Sequence, residues 1–183
     1  MKMRSWMILA LAVLGVAGST AAGYWIHASG WLQRAQARDD NTRTLIIKWQ
    51  RLVDDSGQTC DRCGTTQEEV RKAQVLLAKS LSPLGITVVL EERKLDRATA
   101  AKNILESNRI WVAGKPLETW IGATQGMSDC TSCGTLCGPL VQGNVACRTL
   151  TVGQNAFESI PSELIVKAGL LAAAEMVGTK SNR

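Results

Sequence analysis

The sequence predicts an α/β sandwich of about four strands and three helices. Short β-branched runs alternate with stretches whose apolar residues recur every three or four positions. The opening strand–helix–strand order implies a right-handed crossover and parallel pairing of the first two strands. A late pair of strands then precedes a final helix. The length of 183 residues is enough for one domain with a real core plus a segment to spare, so disulfides are not needed for folding. At 45% hydrophobic and 20% charged residues the chain is too apolar for disorder, and it carries no internal repeat.

Thr44–Trp49 (TLIIKW) reads as the first strand, followed by the polar loop RLVDDSGQT and then Cys60-Asp61-Arg62-Cys63-Gly64. Thr66 is the expected N-cap of a helix with Glu68 and Glu69 in its first turn, where the dipole favours acids. Val70, Ala73, Leu77, Leu81 and Leu84 give that helix one apolar face, and Pro83 and Gly85 stop it. Ile86–Leu90 reads as the second strand, running on to Leu95. Asp96 then caps a short helix from about Arg97 to Glu106. Arg109–Val112 is the third strand, turning at Ala113-Gly114-Lys115. Residues 122–147 are rich in Gly, Ser, Thr and Cys, show no periodicity, and read as a long functional or crosslinked loop. Arg148–Val152 is the fourth strand. Pro161 opens a helix from Ser162 to about Met176, with Leu164, Ile165, Ala168 and Leu171 on its apolar face. Trp49, Trp111 and Trp120 lie on or beside strands and read as core packing, and the Asp54-Asp55 and Glu91-Glu92 pairs as surface charge.

The amino terminus is different. Residues 5–26 hold no charge and follow Lys2 and Arg4, and a helix of this length crosses a ~30 Å hydrocarbon core. Two readings stay open for residues 1–30. One is an uncleaved signal anchor in the inner (cytoplasmic) membrane, the basic flank staying inside and the domain facing the periplasm or exterior. The other is a signal peptide cut after Ala21, leaving a soluble periplasmic protein. Either reading puts the domain in an oxidising space. Residues 31–43 read as a polar linker, 44–178 as the domain with its Cys-rich insertion 122–147, and 179–183 as a tail. The net charge of +5 includes Lys2 and Arg4. The remaining +3 is interleaved with acids, so no basic stripe marks a nucleic-acid partner.

Chemistry falls to sulfur. The chain has six Cys and a single His, His27, far in sequence from every Cys, which argues against His-dependent catalysis or a His-rich metal site. Cys60-x-x-Cys63 sits between a strand and a helix, where unpaired N–H groups favour thiolate and Arg62 adds positive charge. Such a pair can close a disulfide ring, cycle between dithiol and disulfide, or share a soft ion. Cys130, Cys133, Cys137 and Cys147 form a second cluster, and three uses compete for it. Four thiolates could hold Zn or another soft ion such as Cu(I), Hg(II) or As(III), two disulfides could staple the loop, or one pair could pass electrons to Cys60 and Cys63.

The segments TCDRCG, ESNRIWVAGKPLETWIGA, the cysteine cluster ending in CRT, and IPSELIVKAGL resemble a bacterial family of thioredoxin-like domains with no assigned function, within the thioredoxin and glutaredoxin superfamily. The resemblance spans about Thr44 to Leu171. It implies a thioredoxin-like sandwich and a redox or thiol–metal role, with Cys60 attacking and Cys63 resolving. In one respect the chain departs from that pattern. The cis-proline of the superfamily falls at Asn108, and since a cis bond before a non-proline residue costs ~2.5–4 kcal/mol, Asn108 is expected to be trans. The two functional expectations are an exported, membrane-tethered thiol–disulfide exchange protein acting on a thiol or disulfide partner, and a protein that binds a soft or thiophilic metal, linked to metal resistance. No cofactor is required by the first.

Overall fold

The computed structural model describes residues 43–137 and 145–178, apart from the side chains of 134, 135 and 137, all within one compact unit. The expected helix over residues 5–26, the linker up to residue 42 and the tail lie outside the described residues, as does His27, while Arg43, expected in the linker, opens the first strand. Among the described residues no helix is long and apolar enough to cross a membrane.

The α/β class holds, with five α-helices and two sheets among the described residues. Strand β1 (Arg43–Leu52) pairs in parallel with β2 (Ile86–Leu95) along its whole length, from Arg43 opposite Ile86 to Leu52 opposite Leu95. The connection is helix α1 (Asp61–Leu81), the crossover that parallel strands require. On the other side of β1, β3 (Arg109–Val112) runs antiparallel and turns through Ala113-Gly114 into the short β4 (Lys115–Pro116), giving the order β2-β1-β3-β4. Leu45, Ile47 and Trp49 alternate along β1 and are fully buried. Val70, Ala73, Leu77 and Leu81 of α1 complete the same core.

Helix α5 (Ser162–Gly178) packs on α1, and small residues set the distance. Ile165, Ala168, Gly169, Ala172 and Ala173 face inward, whereas Leu171, expected on the apolar face, is 42% exposed. A Cβ on Gly169 would come within 2.5 Å of a Leu77 methyl, so close approach selects glycine there and turns the larger leucines outward. Helix α1 also begins earlier than its sequence suggests. Cys60 is its N-cap, and Thr66 lies buried in the second turn. The Thr66 hydroxyl donates to the Arg62 carbonyl at 3.2 Å and accepts the Ile160 N–H at 3.2 Å, tying the approach to α5 onto α1. Leu84 is exposed, beyond the end of the helix. Asp96 caps α2 (Arg97–Lys102) through Thr99, as expected. That helix stops four residues early, because Asn103 is extended and its side chain instead caps a 3₁₀ turn at Ile104–Glu106.

The largest difference lies in residues 122–147. After helix α3 (Leu117–Ile121) the chain forms β5 (Thr124–Asp129) and helix α4 (Thr131–Cys137). Strand β6 (Ala146–Val152) pairs antiparallel with both β5 and β7 (Asn155–Phe157), making a second, three-stranded sheet. Four of the six β5 residues are exposed, so the strand has no apolar alternation to betray it. Backbone pairing with β6 holds it, and Gly126 leaves room for the Thr149 side chain opposite, which would sit 2.6 Å from an added Cβ.

The tryptophans divide. Trp49 is fully buried, while Trp111 and Trp120 are half-buried at the edge, with Lys48 and Arg109 over Trp111 and Lys115 over Trp120.

The Glu69 carboxylate on α1 accepts the Ser162 N–H at 2.8 Å and so caps α5 from a neighbouring helix. The Ser162 hydroxyl and N–H hold the Glu69 carboxyl below its ordinary 4.5. A depressed carboxyl stabilises the fold above the unfolded pKa, and that contribution is lost as the pH falls through the folded value. Glu69→Gln should therefore lower the thermal midpoint at pH 7 and flatten its fall below about pH 4.5. Unchanged acid unfolding in calorimetry would remove this role.

A buried cluster of cysteine thiols as the candidate site

The two cysteine segments of the sequence meet in space. Cys60 ends the loop after β1 with extended backbone (φ −71°, ψ 161°) and Cys63 lies in the first turn of α1. Cys130 stands between β5 and α4, with its N–H donating to the Val145 carbonyl at 2.8 Å. This bond continues the β5–β6 ladder, in which Ser128 faces Cys147, and so brings Cys147 beside the Cys130-x-x-Cys133 turn. Cys60, Cys63, Cys130, Cys133 and Cys147 are all buried and all free thiols. The side chain of Cys137 is outside the described residues.

Within this cluster the Cys133 thiol donates to the Cys60 sulfur at 3.5 Å, across 73 positions of sequence. The sulfurs of Cys60, Cys130 and Cys133 all lie within 4.8 Å of one another. Cys63 lies beside Cys60 and also has its sulfur 3.7 Å from the Ser107 hydroxyl. Proton affinities follow from these contacts. The hydrogen bond from Cys133, then that from Cys63, holds the Cys60 thiol far below the usual thiol range, against the opposing effect of burial. Cys63 is pushed up by the Cys60 sulfur beside it and by its own burial. Cys133 is pushed up as the donor to Cys147 and Cys60, and Cys130 is raised chiefly by burial. Cys147 is lowered by Cys133 first, then by Cys130 and the Arg62 charge. A thiol has one proton, so Cys133 serves Cys60 and Cys147 by turns.

Arg62, read from sequence as a positive charge beside the thiols, has a structural task. Its guanidinium donates to the Ser128 hydroxyl at 3.0 Å and the Asp129 carbonyl at 3.1 Å, and pairs with Glu158 at 2.9 Å. It thereby ties the start of α1 to the end of β5, immediately before Cys130. Next to Cys147, the buried Arg148 pairs with Glu118 and donates to the Leu105 carbonyl at 3.0 Å, anchoring β6 against the first sheet's connections. Neither role has a sequence signature. Ser107 beside Cys63 is likewise invisible in sequence. The repetition of Cys-x-x-Cys-Gly at 60–64 and 130–134 was the one available sign that the two segments act together.

A family model described as a domain of unknown function, DUF2703, matches residues 45–169, the span that contains all six cysteines. The chain belongs to the DUF2703 family. An uncharacterised protein of the archaeon Archaeoglobus fulgidus is 40% identical over 121 residues, covering 66% of this chain and 82% of that relative. No solved structure matches the chain.

In this DUF2703 domain, Asn108 occupies the position that the superfamily resemblance gives to a cis-proline, and its peptide bonds are trans. Its backbone is left-handed, at φ 56°, a region that asparagine tolerates better than most residues. The side chain is buried, its Oδ1 accepting the Trp49 indole N–H at 3.2 Å and its Nδ2 donating to the Glu158 carbonyl at 3.4 Å. It joins β1, β3 and the segment that carries the partner of Arg62.

Asn108→Ala should destabilise the fold by about 1–3 kcal/mol, through the orphaned indole and the positive φ together. Asn108→Gly relieves only the backbone part and should fall between alanine and the native protein in urea unfolding. Equal midpoints for the two variants would show that the backbone conformation carries no cost.

Proposed function

We propose that the cluster captures a soft, thiophilic metal ion, with Cys60, Cys130 and Cys133 as its primary ligands. The observation that carries this is the mutual approach of three buried sulfurs contributed by two distant Cys-x-x-Cys segments. In a tetrahedral zinc–thiolate site the Zn–S bonds are about 2.3 Å, which sets sulfurs roughly 3.8 Å apart. The 3.5 Å contact between Cys60 and Cys133 is close to that edge. An all-sulfur donor set suits Zn(II), Cu(I), Hg(II) or As(III). Cys147 and Cys63 lie next to the triad as further donors, and the Arg62 charge offsets part of the negative charge that deprotonated ligands bring.

Several features support a wider reading. A parallel β1–α1–β2 unit with the first cysteine pair at the start of its helix, an antiparallel β3–β4 pair and a closing helix fit membership of the thioredoxin-like superfamily. The uncharged run 5–26 behind Lys2 and Arg4 supports a domain held outside the cytoplasm by a membrane anchor. Burial weighs against Cys60 as a general exchanger of protein disulfides, because its residue is only 5% exposed and a folded partner needs room for in-line attack on a sulfur.

The ligand set separates this proposal from a site built on Cys130, Cys133, Cys137 and Cys147 alone. The full chain, purified under strictly reducing conditions and offered Zn(II) or Cu(I), should bind one equivalent by elemental analysis. Cys60→Ser should weaken binding at least tenfold with circular dichroism unchanged, whereas Cys137→Ser should leave it intact. Full binding by Cys60→Ser, or none by the native protein, refutes the proposal.

A further inference from the structure

The same geometry points to a second state of the cluster, and we propose that a Cys60–Cys133 disulfide joins the two Cys-x-x-Cys segments and expels the ion. The expulsion rests on the metal-binding reading above, while the crosslink itself does not. Proximity comes first. The sulfurs of Cys60 and Cys133 stand at 3.5 Å, and a disulfide of about 2.05 Å needs an approach of only roughly 1.5 Å. Cys63, the partner that a single Cys-x-x-Cys would use, also borders the Cys60 sulfur, but it is 2% exposed and its sulfur is shared with the Ser107 hydroxyl at 3.7 Å. Cys60 is the N-cap of α1, its carbonyl accepting the Gly64 N–H at 2.8 Å, so the approach falls to rotation of its side chain.

The consequence for the ion is direct. The bond consumes two of the three mutually adjacent sulfurs and leaves Cys130 alone of the triad. A disulfide sulfur is a poor ligand, since thiolate is the form that binds metal. Oxidation across the two segments therefore removes two of the three primary ligands, leaving Cys130 with only the neighbouring Cys63 and Cys147.

The oxidant class follows from access. Cys60 and Cys130 keep 5% and 7% of their surface and are followed by the exposed Asp61 and Thr131, so the oxidant assigned is a small disulfide, R–S–S–R, rather than that of a folded protein. The Cys60 thiolate attacks one sulfur of R–S–S–R, that bond breaks, and one RS⁻ leaves. Cys133, its proton passed to water, then attacks the Cys60 sulfur of the mixed disulfide and releases the second RS⁻. The two cysteines lose two electrons, R–S–S–R gains two and becomes two RSH with protons from water, and the cation departs with its charge unchanged.

The full chain, reduced and metal-free, is treated with oxidised glutathione, quenched with iodoacetamide and mapped by mass spectrometry of its peptides. A Cys60–Cys133 crosslink should dominate and should survive Cys63→Ser. In Cys133→Ser, glutathione should stay attached to Cys60. A dominant Cys60–Cys63 or Cys130–Cys133 disulfide overturns the proposal. In a second arm the chain is first loaded with Zn(II) and release is followed with a colorimetric chelator. Zinc should appear in step with the crosslink, one ion per bond. Zinc released with no crosslink, or retained by crosslinked protein, overturns the proposal. A crosslink in a chain that never bound zinc, copper or another soft ion leaves the disulfide standing and removes the metal-binding reading and the expulsion built on it.

Discussion

The Arg62 guanidinium is the fixed point of the thiol site. It lies between the two cysteines of the first segment and reaches the Ser128 hydroxyl and the Asp129 carbonyl, at the end of the strand that leads into Cys130. With only 10% of its side chain exposed and Glu158 as its ion-pair partner, it holds two sheets in one arrangement. A planar guanidinium meets the hydroxyl from one nitrogen and the carbonyl and carboxylate from another, a fixed spread that the single nitrogen of a lysine does not have. That alignment brings the start of α1, with Cys60 and Cys63, against the end of β5 and Cys130.

The scaffold behind the site is built for short distances. Alanines and Gly169 let α5 settle onto α1, and Glu69 supplies the capping oxygen that α5 does not provide for itself. Thr66, nearly one turn nearer the cysteines, ties Ile160 to the same helix. Three successive inward positions of α1 thus serve sulfur, backbone and core in turn, and the opening of the helix is fixed by polar contacts before its apolar face begins at Val70.

Much of the first sheet was legible. Parallel β1 and β2, the Asp96 cap and the β3 turn follow from β-branched runs, a short side-chain oxygen and a glycine, all of which act locally. The second sheet was not legible because its central contact is backbone to backbone. Strand β5 buries little and so leaves no alternating pattern. The inward face of α5 was misjudged at Leu171 for a related reason, since hydropathy ranks leucine above glycine while close helix packing ranks them the other way.

By itself the sequence determined that sulfur carries the chemistry, because six Cys and one remote His leave few other choices. It also placed Cys60 and Cys63 at the start of a crossover helix, a matter of local spacing. Only the tertiary structure decided that Cys130, Cys133 and Cys147 belong to the same cluster as Cys60. The physical reason is that the partnership spans 73 positions and is made by a strand ladder, a buried arginine and a register, none of which leaves a periodic trace in the chain.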